Sequence, residues 1–169
     1  ATPICSVALV KDATLLSLRE NTEENIHSSL ITVFVQEVCK DAGLALKQVD
    51  AIAVSKGPGS YTGLRIGVSA AKGLCYALDK PLISLPTLLS MANGARALLP
   101  DDEAKQQNTL LCPMIDARRM EVYTAVYSKD LNVLMDTAAM IIDEKSFSHL
   151  MNDHHIYFFG NGAGKCQEI

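Results

Sequence analysis

Ser55-Lys56-Gly57-Pro58-Gly59-Ser60-Tyr61-Thr62-Gly63-Leu64-Arg65-Ile66-Gly67 is the stretch from which the rest of the chain is read. An apolar run, Ala51 to Val54, stops at Ser55, and a Gly-Pro-Gly turn follows. Leu64, Val68, Ala71, Cys75 and Leu78 then fall on one face of a helix. The implied order is strand, glycine turn, helix. Gly57 and Gly59, on either side of Pro58, allow a tight turn and a close backbone approach. Ser60 is a candidate N-cap, and the free amides of the first helical turn favour an anion. The known phosphate loops nevertheless do not match. A Walker loop needs Gly-Lys-Ser/Thr, and Gly63 is followed by Leu64 and Arg65. The dinucleotide fingerprint needs a third glycine where Thr62 stands. Packing of a helix against a strand is the plainer use of this turn.

The wording of the stretch is more specific than its grammar. From Ser55 to Leu88 it closely resembles the TsaB (YeaZ) family of bacteria. Ile115 to Tyr127, IDARRMEVYTAVY, resembles the start of that family's second domain, and Asn25-Ile26-His27-Ser28 is a looser match. The resemblance implies a duplicated actin-like α/β fold of the ribonuclease H-like kind, with mixed sheets and flanking helices. It implies a non-catalytic role beside the paralogue TsaD, which makes threonylcarbamoyladenosine next to the anticodon of tRNA. A TsaE-like ATPase is implied as a further partner, and a homodimer when the chain is alone. Contact with tRNA is expected only through the complex. No cofactor is expected in this chain alone, with ATP and magnesium at the level of the complex. The expected domains are 1–105 and 106–169, with a first strand ahead of the first and the second continuing further.

Composition agrees with a globular α/β protein. Of 169 residues 49% are apolar and 20% charged, with no Trp, so aliphatic packing must fill the core. The net charge of −4 argues against autonomous binding to a nucleic-acid backbone. Five scattered cysteines without a Cys-x-x-Cys pair indicate neither a zinc ribbon nor a redox motif, and fit reduced thiols in a cytoplasm. No apolar run reaches membrane-spanning length.

In order, Ile4–Val10 and Thr14–Arg19 read as a hairpin turning at Lys11-Asp12. Asn25 caps a helix that runs to Ala42 and stops at Gly43. Its main face is Ile26, Leu30, Val33, Phe34 and Val38, and Ile31 and Val35 lie off it. Two readings stand: a helix buried on two sides, or a second face used by another chain. Val49–Val54 is a buried strand, Pro81–Leu85 another, and Thr87–Leu99 a helix. The second half gives strands at 109–115, 121–127, 131–136 and 140–142, a helix at 144–151, and a strand at 156–159. A second glycine turn, Gly160-Asn161-Gly162-Ala163, precedes a last helix. With a first strand restored, the two halves repeat one order.

Chemistry-bearing groups are sparse. His149, His154 and His155 lack the His-x-x-x-His spacing of the metal motif in TsaD. Ser6, Ser60 and Ser69 have no nucleophile-elbow context, which the older family label of glycoprotease would need. Asp116, Arg118 and Arg119 are candidate anion or nucleotide contacts, with a turn-forming Asp as the simpler reading. A small actin-like ATPase or kinase using Asp116 is the rival enzyme reading, and a stand-alone dimeric module is a third. Here the chain has Met120 where the family usually has Gly. Gly63 and Gly67 cost helix stability of about 1 kcal/mol each, which the close approach of another helix would offset. Ile31, Val35, Gly63, Gly67 and Ala70 are therefore the candidate partner surface; the resemblance, too, places association on these two helices.

Overall fold

A computed structural model describes residues 4–22, 27–100, 106 and 108–167. The contacts divide the chain into two compact units, Ala1–Leu85 and Pro86–Ile169. The expected boundary lay at residue 105. The division falls earlier because the helix Thr87–Arg96 packs on the strands that follow it.

In the first unit, β1 (Cys5–Lys11) and β2 (Thr14–Asn21) form an antiparallel hairpin. Its turn is Asp12-Ala13, one residue later than expected, with φ of 48° and 63°. Two left-handed residues match the twist of the flanking strands. Helix α1 (His27–Asp41) packs on both strands. Its expected cap, Asn25, lies outside the described residues. Phe34, Val38 and Cys39 are buried. Ile31 and Val35 are half-buried and continue that stripe at helical spacing, whereas Val33, expected inside, is 42% exposed. The covered arc is turned because α1 also packs beside a second helix, α2 (Tyr61–Leu78). Arg19 on β2 ties the hairpin to α1, its Nε 3.1 Å from Glu37 Oε2 and its Nη2 paired with Asp41. Asp41 also accepts from Ser17 Oγ at 3.1 Å.

Strand β3 (Ile52–Gly57) runs three residues beyond the predicted end. The turn then uses Gly57 at φ 107° and Gly59 at φ 155°, with a cis Gly57–Pro58 bond between. A Cβ on Gly57 would come within 3.3 Å of Leu64 Cδ1, so the helix seats directly on the turn. Ser60 caps α2, its Oγ accepting from Gly63 N at 3.3 Å. Asp79 ends the helix in the left-handed region at φ 51°. Strand β4 (Leu82–Pro86) pairs with β3. The two ribbons, β1–β2 and β3–β4, are separate two-stranded sheets.

The second unit opens with α3 (Thr87–Arg96). Its four-stranded sheet has the order β7-β6-β5-β8, from β5 (Thr109–Asp116), β6 (Glu121–Ser128), β7 (Val133–Ile141) and β8 (His155–Phe159). β5 lies antiparallel to β6 and parallel to β8. Its alternate residues serve two cores. Leu110, Cys112 and Met114 pack with Val122, Val126, Ile142 and Phe147. Leu111 and Ile115 pack with Leu88, Ala92, Ala125 and Tyr127. Pro113, which has no N–H, is accommodated inside the strand; its carbonyl accepts from the buried Thr124 hydroxyl at 3.0 Å.

Elements of the second unit also differ from the expected spans, and the helix expected over Thr87–Leu99 ends at Arg96. β7 is one strand where two pieces were expected, because Asp136 and Thr137 sit on an exposed edge that tolerates polar residues. The helix expected over 144–151 is only α4 (Ser148–Met151). Asp143 Oδ1 accepts from Lys145 N at 3.0 Å and from Ser146 Oγ at 2.7 Å, holding the preceding residues in a turn. The final helix is a short 3-10 segment, Ala163–Gln167.

The repeat read from sequence is visible in this order. Strand, strand, helix, strand, glycine turn, helix describes both β1 to α2 and β6 to the 3-10 segment. β5 has no counterpart among the described residues of the first unit.

Glycine substitutions separate the roles of these turns. At Gly160, φ is 100° and an added Cβ would run into the Met114 carbonyl and stand 2.8 Å from Met91 Cε. At Gly73, in α2, an added Cβ meets nothing within 4 Å among the described residues. Gly160→Ala should cost about 2 kcal/mol or more. Gly73→Ala should stabilise the isolated chain by about 0.5–1 kcal/mol. Chemical denaturation of the two variants beside the parent checks both signs.

Candidate functional site

The hairpin between β5 and β6 is built on Asp116. Arg118 and Arg119 both take left-handed backbone, with φ of 74° and 47°. Met120 does not, so the turn is made at the two arginines and needs no glycine at Met120. Arg118 N donates to Asp116 Oδ1 at 2.6 Å. Lys165 Nζ reaches the same oxygen at 2.8 Å and donates to the Glu121 carbonyl at 2.7 Å. Asp116 N in turn donates to Asn161 Oδ1 at 3.2 Å. The Lys165 ammonium, then the Arg118 amide, hold the Asp116 carboxyl below the ordinary aspartate range. Gly162 permits this approach, since a Cβ there would lie 3.0 Å from Asp116 N and from Val122 Cγ1.

The hairpin and the second glycine turn thus form one assembly. Asp116 belongs to it as a structural acceptor, and the Arg118 and Arg119 side chains project at the exposed turn. Asn161 and Lys165 were not singled out in the sequence. Their signal was the glycine turn itself, which places a close backbone approach at that point.

The other candidate surface lies on α1 and α2. Gly63, Gly67 and Ala70 are half-buried. A Cβ on Gly67 would sit 3.9 Å from Val54 Cγ2, so this glycine faces β3 of its own unit and not a free surface. The outward stripe of α2 is Tyr61, Arg65, Ser69, Lys72, Gly73 and Tyr76. Tyr61 is 73% and Tyr76 92% exposed. Arg65 Cζ stands 5.1 Å from the centre of the Tyr61 ring. On α1 the outward residues include Thr32, Val33, Gln36 and Lys40. Sequence reading had followed the small residues and missed the tyrosines, although their spacing of fifteen residues puts both on one helix face.

Remaining groups are disposed simply. Cys5, Cys39 and Cys112 are buried and Cys75 is half-buried. Burial pushes the Cys5 and Cys39 thiols up. His154 Nδ1 lies 3.2 Å from the Leu150 carbonyl, and His149 and His155 are exposed. Among the described residues no group of three or more His, Cys, Asp or Glu side chains is placed to hold a metal. Among the same residues no helix is long and apolar enough to cross a membrane.

Comparison with known proteins places these features. The family described as "TsaD: tRNA N6-adenosine threonylcarbamoyltransferase" matches residues 20–152. The Escherichia coli (strain K12) protein named tRNA threonylcarbamoyladenosine biosynthesis protein TsaB is 39% identical over 132 residues, 78% of this chain and 54% of that protein. The Bacillus subtilis (strain 168) protein of the same name is 34% identical over 173 residues, covering 96% of this chain and 69% of its own. The chain thus spans about half the length of its Escherichia coli relative. A solved structure of YeaZ from Pseudomonas aeruginosa superposes with a TM-score of 0.79 at 26% identity, over 99% of this chain and 76% of that one. The mixed sheets and flanking helices described above are therefore those of an actin-like, ribonuclease H-like fold. The chain belongs to the TsaB (YeaZ) family, within the wider group matched by the threonylcarbamoyltransferase family description.

Proposed function

We propose that this chain is a non-catalytic partner of a TsaD-type enzyme in threonylcarbamoyladenosine synthesis on tRNA, working in the cytoplasm. One observation carries the partner role: the outward face of α2, where Tyr76 stands 92% exposed. Exposed aromatic and arginine side chains on a rigid helix are the usual anchors of a protein interface. Ile31 and Val35 on α1, with Gly63 and Ala70 on α2, are half-buried, and Gly67 lets α2 lie close on β3. The catalytic enzyme supplies the transfer of the threonylcarbamoyl group. A TsaE-like ATPase joins the assembly, and ATP with magnesium acts there, at the level of the complex. tRNA is held through the complex, consistent with a chain whose net charge is −4.

The test is binding of the purified chain to a TsaD-type enzyme by calorimetry, with and without Tyr76→Ala. The wild-type chain should bind, and the variant should lose about 2 kcal/mol, the loss typical of an aromatic anchor. A gel shift with tRNA at physiological salt should show retention only when the enzyme is present. Retention by the chain alone would contradict the reading.

The same reading fixes an expectation for Asp116. Its carboxyl titrates lower in the folded protein than in the unfolded chain. The Lys165 contact therefore stabilises the fold above the ordinary aspartate range, near pH 4, and is lost as pH falls further through the lowered value. Asp116→Asn should flatten the acid side of a Tm-against-pH curve. It should leave support of tRNA modification within about twofold of wild type, since surface ion pairs are weak. Background-free ATP turnover by the isolated chain, abolished in Asp116→Asn, would instead favour the kinase-like rival.

A further inference from the structure

Away from α1 and α2, the turn between β5 and β6 carries exposed side chains of two kinds. Arg118 and Arg119 are exposed, and Met120 beside them is 36% exposed. Glu121 is the ladder partner of Ile141, the last residue of β7, which is 71% exposed. Ile142 N donates to the Met120 carbonyl at 2.9 Å, so the end of β7 is fixed beside the turn. Two guanidinium groups and two large apolar side chains thus share one end of the sheet.

Two acids of this region are engaged elsewhere. Asp116 Oδ1 takes both the Lys165 ammonium and the Arg118 amide. Asp143 Oδ1 accepts from Lys145 N and Ser146 Oγ within its own turn. Among the described residues neither Arg118 nor Arg119 is in an ion pair. The backbone that carries them is nevertheless held. Ala117 N donates to the Glu121 carbonyl and Glu121 N to the Arg118 carbonyl, both at 3.1 Å. With the tie to Asp116, these bonds set where both side chains begin, so less order is lost when a ligand is bound.

The mixture of charge and apolar surface selects the ligand. Two adjacent arginines in a chain of net charge −4 make a short footprint on an RNA backbone, and Met120 and Ile141 add nothing to it. A free phosphate would engage the guanidinium groups and leave the apolar pair in water. A second copy related by a two-fold axis at this turn would set arginine against arginine. A peptide with an apolar residue among its carboxylates satisfies both halves. The arginine fork matches a carboxylate in shape and charge, and Met and Arg are enriched where proteins meet.

We infer that the β5–β6 turn is a docking point for an acidic segment of another protein, with Arg118 and Arg119 taking its carboxylates and Met120 and Ile141 covering its apolar side chain. This contact lies outside the partner role proposed above and is tested without it.

The probe is a capped synthetic peptide of glutamates with two central leucines, titrated into the whole isotope-labelled chain and followed by backbone amide shifts. Saturable shifts should appear at residues 117–121 and at Ile141. Affinity should fall about tenfold between about 50 mM and about 500 mM salt, as the screening length shrinks to a few Å. The same peptide with glutamine for glutamate should bind at least about tenfold more weakly. Arg118→Gln/Arg119→Gln should lose about tenfold or more. Glutamine makes the same backbone demand as arginine at these two left-handed positions, so the melting curve should stay with the parent. Arg118→Lys/Arg119→Lys, which keeps the charge and loses the fork, should bind at an intermediate level and serves if the Gln pair melts early. Ile141→Ser should lose about threefold on the leucine peptide and less on a peptide of glutamates alone. Equal binding of the glutamine peptide overturns the inference in favour of a plain apolar patch. Inorganic phosphate that binds the turn as tightly as the peptide overturns it in favour of a small anion. Shifts of the same amides by tRNA at physiological salt overturn it in favour of RNA. Self-association in sedimentation that is lost in the Gln pair overturns it in favour of a second copy. No shift at the turn with several millimolar peptide overturns it outright.

Discussion

Burial of β5 on both faces is the constraint on which the second unit depends. Its even-numbered residues, Leu110, Cys112 and Met114, enter one core, and its odd-numbered Leu111 and Ile115 enter the other. A strand so placed has no solvent face between Leu110 and Ile115, so its sequence is apolar over that run and one step of register would exchange the two cores. That arrangement also explains Thr124. Its hydroxyl is fully buried because the carbonyl of Pro113 beside it needs a donor inside the sheet. The same strand then delivers Asp116 at its end, where the glycine turn after β8 crosses close behind it. Position of the hairpin therefore follows from the packing of β5, β6 and β8.

The first unit is held differently. Its described strands form two separate ribbons, and many of their apolar side chains, among them Val10, Leu15, Ile83 and Leu85, remain more than a third exposed. Cohesion comes from α1 and α2 laid against the ribbons and against each other, with Arg19 binding two carboxylates of α1. Those ion pairs are about 40% exposed and contribute little by themselves, on the order of 1 kcal/mol or less each. Together with the packing of α2 beside it, they go with a rotation of α1 that puts Val38 inside and Val33 outside.

Local signals were legible in the sequence and long-range ones were not. Ser60 as a cap, the glycine turns, and the apolar run of β5 are set by residues within a few positions of each other. The start of the predicted helix at 144–151 was misplaced by a competing local bond, since Asp143 and Ser146 hold their own turn. The tie of Lys165 to Asp116 crosses 49 positions and has no sequence periodicity to announce it. The rotation of α1 depended on Arg19, 18 residues away from Glu37, and on the presence of α2 beside it. The tyrosines of α2 were visible letter by letter, but aromatic side chains ordinarily read as core, and only the fold shows that theirs is the outer face.

Glycines on α2 show why composition alone misleads about interfaces. Gly67 and Gly73 are equally unfavourable to a helix, and sequence gives no reason to treat them differently. Gly67 has Val54 of β3 before it, so its missing side chain lets the helix lie close on its own sheet. At Gly73 an added Cβ would meet nothing within 4 Å among the described residues, so no described contact offsets its cost, and two glycines of one helix that look alike in sequence have different parts in its packing.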